Sequence, residues 1–294
     1  MGSLAIIAAM DIQAYLLPYD SGRRNERMGA GPQYWIDNGL LEMLQSRGHD
    51  SRVKVIESQS PYPLEVGTSY ELYSKLAAAI QQDCTNGQFP LVLSGNCGAS
   101  LGTINGLHGL SEEPFGVVWF DAHGDFNTPD TSPTGYLDGM CLATAAGLGW
   151  KLMARTIPGF RPLKIEHIIH AGGRDFDPEE ACLMKEKGVT TIEAQQIHEK
   201  GACGALEPAL NALRSRVKDI YLHFDVDVLE PNITPGNHYA VPGGLHPEQL
   251  REAFTMLRER FTIRAMGIGS FDPSYDGEGK TLRAVKELVK AAVG

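Results

Sequence analysis

Asp121, His123 and Asp125 fall at alternate positions directly after the apolar run Phe115-Gly116-Val117-Val118-Trp119-Phe120. Side chains two apart in extended chain share a side, so two carboxylates and an imidazole are expected to meet at the carboxyl end of a buried strand. A second run, Tyr221-Leu222-His223-Phe224-Asp225-Val226-Asp227-Val228-Leu229-Glu230-Pro231, repeats the device with Asp225 and Asp227. One acid-rich strand end is ordinarily a pair of caps or turn formers. Two of them predict a dinuclear metal centre, because carboxylate oxygens with a single imidazole suit Mn or a similar borderline-hard ion, and bridging carboxylates hold a pair ~3.5–4 Å apart. His223 shares a face with the two acids but lies one step deeper in the strand, which reads as a satisfied buried histidine or a partner to a ligand.

Asp121-Ala122-His123-Gly124-Asp125-Phe126-Asn127-Thr128-Pro129 resembles the Asp-Ala-His-x-Asp-x-Asn signature of the arginase/agmatinase (ureohydrolase) family. Phe224-Asp225-Val226-Asp227-Val228-Leu229-Glu230-Pro231 resembles its Asp-x-Asp-x-x-Asp-Pro signature. Further segments match in the right order: Pro18-Tyr19-Asp20-Ser21-Gly22, Gly29-Ala30-Gly31-Pro32, Pro90-Leu91-Val92-Leu93-Ser94-Gly95-Asn96-Cys97, Gly173-Arg174-Asp175-Phe176-Asp177-Pro178 and Val241-Pro242-Gly243-Gly244-Leu245. The resemblance implies a three-layer α/β/α fold with a mostly parallel eight-stranded sheet, two divalent metal ions, ordinarily Mn, and a small-molecule guanidino substrate. It also implies that Asp121 and Asp225 bridge the ions, that His123 and Asp227 complete one position and Cys97 with Asp125 the other, and that Asp125 orients the attacking water. Oligomers are common in the family.

The departures from that pattern fall where the family does its chemistry. Cys97 stands in place of the first histidine ligand; free Cys is ordinarily a small buried hydrophobe, whereas a thiolate facing the metal would favour Zn or Fe there or leave the position weakly filled. Asp138 stands where arginases have a rim histidine that moves protons, although Asp-Gly is also a turn or helix-start signal. His238, in Pro235-Gly236-Asn237-His238-Tyr239, is a candidate substitute, against the solvent-facing default of a loop histidine. Tyr136 replaces an asparagine that holds the substrate carboxylate, and Tyr239 a small threonine. Ser270 replaces the glutamate that grips the guanidinium, a loss worth ~1.5–3 kcal/mol of binding unless Asp272 compensates. Asp177 matches the arginase version of its loop, whose second aspartate meets the substrate α-amino group, and it also suits a helix cap. Asn127 and Thr134 belong to the expected substrate wall, which continues through the Pro-, Thr- and Gly-rich loop 128–138.

The expected activity is metal-dependent hydrolysis of a guanidino or amidino C–N bond in an arginine-like amino acid such as a hydroxyarginine, releasing urea or a urea analogue. One alternative is a non-catalytic small-molecule binder or structural subunit with a degraded metal site; another is hydrolysis of some other C–N bond. Two ions sharing a water would lower its pKa from 15.7 toward ~7, which supplies the nucleophile at neutral pH.

Around these residues, 294 positions with 43% hydrophobic content are ample for a core, and no linker divides them, so a single domain over 1–294 is expected. A formal charge of −10 argues against nucleic acid or an anionic membrane as partner, since phosphate binding needs basic patches. Five scattered cysteines, an odd number without a CxxC pair, are the usage of a reducing, cytoplasmic compartment. The apolar start 4–10 lacks a basic flank and is too short for a signal peptide or a membrane span. Strand-like runs at 12–17, 53–56, 91–93, 115–120, 165–170, 190–192, 220–224 and 262–268 alternate with helical patterns at 70–82, 99–107, 139–147, 179–186, 205–216, 247–259 and 280–293. Such alternation predicts a parallel sheet covered on both faces, with ligands gathered outside the strand carboxyl ends.

Overall fold

The computed structural model describes residues 9–60 and 64–294, so the reading of the apolar start lies almost wholly outside the described residues. Eight strands form one sheet: β1 Asp11–Leu17, β2 Asp50–Val55, β3 Phe89–Ser94, β4 Phe115–Phe120, β5 Ile168–Ala171, β6 Thr190–Ile192, β7 Asp219–Asp225 and β8 Thr262–Gly269. Their order across the sheet is β2-β1-β3-β8-β7-β4-β5-β6, and every pairing in it is parallel. All six residues of β3 and of β4 are buried, the reason these strands read as unbroken apolar runs.

The longer helices are α1 Glu65–Asp83, α2 Ala99–Leu110, α3 Pro178–Lys187, α4 Ala194–Arg214, α5 Pro247–Arg260 and α6 Lys280–Val293. On one face of the sheet, Tyr15, Val117, Trp119 and Tyr221 pack with apolar residues of α1 and α2. On the other, Ile12, Phe120, Leu222 and Ile268 pack with those of α4, α5 and α6. This is the expected three-layer α/β/α architecture. The outer strand β2 is largely exposed, and Arg52 and Lys54 pair with Asp11 and Asp83 along it, which blunts the free edge with charge.

The local differences from expectation have physical causes. The run at 165–170 opens as a 3-10 turn, Ile165–His167, before β5 begins. The helix expected at 139–147 is a 3-10 turn, Asp138–Met140, followed by the short helix Cys141–Ala145. Helix α4 begins at Ala194, upstream of its expected start, and crosses a break at Gly201, whose φ of 70° and ψ of 159° are not helical. Helices Gly31–Asp37 and Leu40–Gln45 were not anticipated, because Gly31-Pro32 reads as a turn, whereas here Pro32 occupies the first helical turn. A Cβ on Gly31 would stand 2.3 Å from the Phe271 carbonyl oxygen, so this helix sits directly against the chain leaving β8.

Candidate metal centre

The four central strands β3, β8, β7 and β4 lie side by side, and their carboxyl ends and the chain just beyond carry Cys97, Ser270, Asp225 and Asp121. The acids converge by turns, not by the strand alternation that the spacing suggested. Asp125 has φ of 51°, in the left-handed region, so the chain after β4 reverses and does not run on extended. Gly124 permits the reversal, since a Cβ there would stand 2.5 Å from the Glu180 carboxyl carbon. Asp225 ends β7, and Asp227 lies in the 3-10 turn Val226–Val228, with its backbone N–H donating to Asp225 Oδ1 at 2.8 Å.

His123 Nδ1 lies 3.5 Å from Asp121 Oδ1 and 3.5 Å from Asp227 Oδ2, and ligand atoms of these three residues all fall within 4.8 Å of one another. Asp225 Oδ2 accepts from the Cys97 thiol at 2.8 Å. Asp125 stands beside the trio and outside it, and its Oδ2 accepts from the Cys141 thiol at 3.2 Å. A second set, Cys97, Asp121 and His223, meets the same 4.8 Å limit among the described residues.

The electrostatics identify what the acids lack. Burial, with the charges of neighbouring aspartates adding to it, pushes the Asp125 and Asp225 carboxyls well above the usual carboxylate range, and Asp227 is raised by the same burial. Asp121 alone is held down, to about 2: burial opposes this, and the hydrogen bond and charge of His123 overcome it. Burial lowers the His123 imidazole, but Asp227 and Asp121 outweigh it and raise the group to about 10. One imidazolium cannot neutralise four buried aspartates. The nearby guanidinium of Arg174 is committed to backbone carbonyls, including Asp227 O and Val241 O at 2.8 Å each. Oxygen-rich donors with one imidazole and surplus negative charge fit divalent cations.

A cavity opens over this cluster, walled by Asn127, Thr134, Tyr136, Asp177, Tyr239 and Ser270, all expected at the substrate. The Tyr136 and Tyr239 rings stack at its mouth, 5.5 Å between centroids. The Asn127 amide donates to Asp177 Oδ2 at 2.8 Å, and Thr134 Oγ1 accepts from the Tyr136 N–H at 3.2 Å. Ser270 is buried at φ 63°, its Oγ 3.3 Å from the Cys97 sulfur. Asp138 borders the cavity, but its contacts tie down the segment that leads into α2: it accepts from the backbone N–H of Cys97 at 3.0 Å and of Gly98 at 2.7 Å, and from Asn96 Nδ2 at 3.0 Å. His238 is exposed outside the cavity wall, its ring against that of Tyr239. Asp272 caps its own turn by accepting from Ser274 N and Oγ and does not line the cavity, so it does not stand in for the missing glutamate.

Three residues of the site went unassigned in the sequence. Glu180 is buried, accepts from Phe126 N at 2.8 Å and from Asp177 N at 3.3 Å, and so ties the reversed loop to α3. Its signal is the Asp-x-x-Glu spacing of a capping box from Asp177. Asn237 donates to Ser270 O at 2.6 Å and Asp227 Oδ2 at 3.3 Å and accepts from Tyr239 N at 2.8 Å. Cys141, the donor to Asp125, carries no signal, because the pair forms only in the folded chain.

A three-layer fold with a parallel eight-stranded sheet, and candidate metal ligands outside the carboxyl ends of its central strands, defines a ureohydrolase-like hydrolase. Comparison with known proteins narrows the class. The arginase family model matches residues 11–294. The arginase of Bacillus caldovelox is 31% identical, over 95% of this chain and 96% of the relative. The crystal structure of arginase from Bacillus cereus superposes with a TM-score of 0.88 at 26% identity, covering 97% of this chain and 98% of that one. A formimidoylglutamase from Bacillus subtilis, at 20% identity and a TM-score of 0.75 over 97% of this chain and 86% of that one, shares the fold. This chain belongs to the arginase family, and its reaction class is hydrolysis of an amidino C–N bond.

Proposed function

We propose that this protein hydrolyses the amidino C–N bond of an arginine-like amino acid whose guanidino group is less cationic than that of arginine, such as a hydroxyarginine, with release of urea or its analogue. The observation that carries this reading is Ser270: an uncharged hydroxyl, buried in the cavity wall, stands where the family's carboxylate grips a guanidinium, and Asp272 is turned away. A site without that carboxylate forgoes a charge-assisted contact of ~1.5–3 kcal/mol, and the substrate that suffers least is one with a weaker positive charge.

Asp121, His123, Asp225 and Asp227 would hold one divalent ion, and Cys97 with Asp125 and the shared acids a second. Such a pair would supply a nucleophile from water at neutral pH. Asp125 orients that water through its carboxylate and returns the proton to the departing amine as the C–N bond breaks and the carbon gains the oxygen. Asp177, held by Asn127, takes the substrate α-amino group. Tyr136 and Tyr239 close the mouth and exclude water from the reacting carbon. Asp138 is a positioning residue, which holds the Cys97 backbone ahead of α2.

The test is a urea-release and mass-spectrometric screen of arginine, hydroxyarginine, agmatine and guanidino acids with Mn, Zn or Fe supplied in turn. Hydroxyarginine should lead and arginine should be poor, and S270E should shift kcat/KM toward arginine by roughly 10- to 100-fold. Brisk turnover of arginine by the unaltered protein would overturn the assignment.

A further inference from the structure

Beneath the cavity, three donors of different chemistry face one another. His223 Nε2 is 3.1 Å from Cys97 Sγ, and both, with an Asp121 carboxylate oxygen, lie within 4.8 Å of one another. Cys97, Asp121 and His223 are each 1% exposed. The imidazole is fixed on every side. Its Nδ1 lies 3.1 Å from Tyr221 Oη, and its ring stacks on Trp119 with 3.5 Å between centroids and 19° between planes. Trp119 Nε1 in turn donates to Asp121 Oδ2 at 3.0 Å. Gly267 leaves room for the Tyr221 hydroxyl, since a Cβ there would come within 2.2 Å of it. A histidine that presents one nitrogen to a thiol and an acid while its other nitrogen rests on a fixed oxygen has the arrangement of a metal-ligating histidine with its orienting partner.

We propose that His223 is a metal ligand, and that Cys97, His223 and Asp121 together form a sulfur–nitrogen–oxygen site that takes Zn(II), Fe(II) or Co(II) in preference to Mn(II). The proposal rests on the metallohydrolase reading of the acid cluster and gives its altered position a different donor set. An imidazole absent from position 97 is supplied from beneath by β7, and the thiolate that replaces it makes the site softer. Thiolate and imidazole donors select the later divalent metals, whereas the trio of Asp121, His123 and Asp227 keeps the oxygen-rich character that suits Mn. A mixed centre follows, with one soft and one hard position sharing Asp121.

The experiment uses the full chain, stripped with a chelator and titrated with Co(II), with bound metal counted after dialysis and thiolate-to-cobalt charge-transfer absorption followed in the near ultraviolet. The unaltered protein should bind two ions per chain and develop the band at the first equivalent. C97S should abolish the band. H223Q should weaken the band-forming ion by 100-fold or more while an ion still binds at the trio. An H223Q chain that melts as the unaltered metal-free protein does and titrates with an undiminished band overturns the proposal, as does an unaltered chain with no band. X-ray absorption of the unaltered chain with one equivalent of Zn(II) is independent of how the variants fold: sulfur and imidazole scatterers on the same ion support the site, and oxygen ligands alone overturn it. Urea release from a guanidino substrate without any thiolate band would sink this site and leave the proposed function standing. A band with full stoichiometry but no hydrolysis of any guanidino compound would do the reverse.

Discussion

At the scale of single residues, Asp125 carries the sharpest expectation. Its carboxylate is buried beside the other acids and its backbone is left-handed, a conformation that Asn tolerates better than most residues. D125N therefore keeps the turn and removes the proton acceptor. Turnover should fall at least 100-fold, the scale of general acid–base catalysis, while the metal-free thermal midpoint stays within a few degrees. Steady-state kinetics beside a melting curve decide it, and retained turnover would take Asp125 out of the chemistry. The acids and His123 were legible in the sequence because nothing apolar places carboxylates at the ends of buried strands. The geometry was not legible: the alternate spacing suggested extended chain, whereas a left-handed residue and a 3-10 turn bring the groups together. Glu180, Asn237 and Cys141 act through contacts with residues far along the chain, and local pattern does not encode those.

At the scale of elements, the strands were the most legible part, since a parallel strand buried on both faces has almost no choice of composition. The segments after the strands were the least, because short helices and turns there are set by what they pack against. The start of α2 shows the consequence. Gly98 precedes the helix with no room for a side chain, as a Cβ would stand 2.0 Å from the Tyr73 hydroxyl of α1. With that end pressed against α1, the backbone N–H groups of Cys97 and Gly98, which lead into the helix, turn to Asp138. D138A removes the acceptor for two backbone donors and should cost about 1–3 kcal/mol of stability, the penalty of leaving buried donors unpaired. The thermal midpoint should drop by a few degrees, and D138N, which keeps one acceptor oxygen, should recover part of the loss. A residue that moved protons at the rim would give another signature, with unchanged melting and a displaced pH–rate profile in both variants.

At the scale of the whole molecule, the surplus of buried negative charge couples stability to pH and to metal. Asp138 and Glu180 are raised to about 7 by burial, Asp125, Asp225 and Asp227 are raised as well, and His123 is raised to about 10. Each of these groups binds its proton more tightly folded than unfolded. Its contribution is complete below the unfolded value and disappears as pH climbs through the folded one. Asp121, lowered to about 2, has the opposite sign, and its contribution is lost only as pH falls toward that value. His108, His167, His170 and His223 share that sign, since burial lowers each imidazole and its contribution grows until pH passes the ordinary imidazole value. From about pH 6.5, where those imidazoles are neutral folded or unfolded, to about pH 8 the metal-free protein should therefore lose stability steadily. Divalent ions reverse the trend, because they replace the protons as counter-charge and bind more tightly as the ligands deprotonate. An ion at a hundred times its Kd adds about 2.7 kcal/mol to the folded state. Melting curves at several pH values, with chelator and with Mn or Zn, should therefore diverge as pH rises, the metal-free midpoint falling while the loaded one holds or climbs. Curves that run parallel across that range would mean that the acids find their compensation within the protein and that the cluster was not built around a cation.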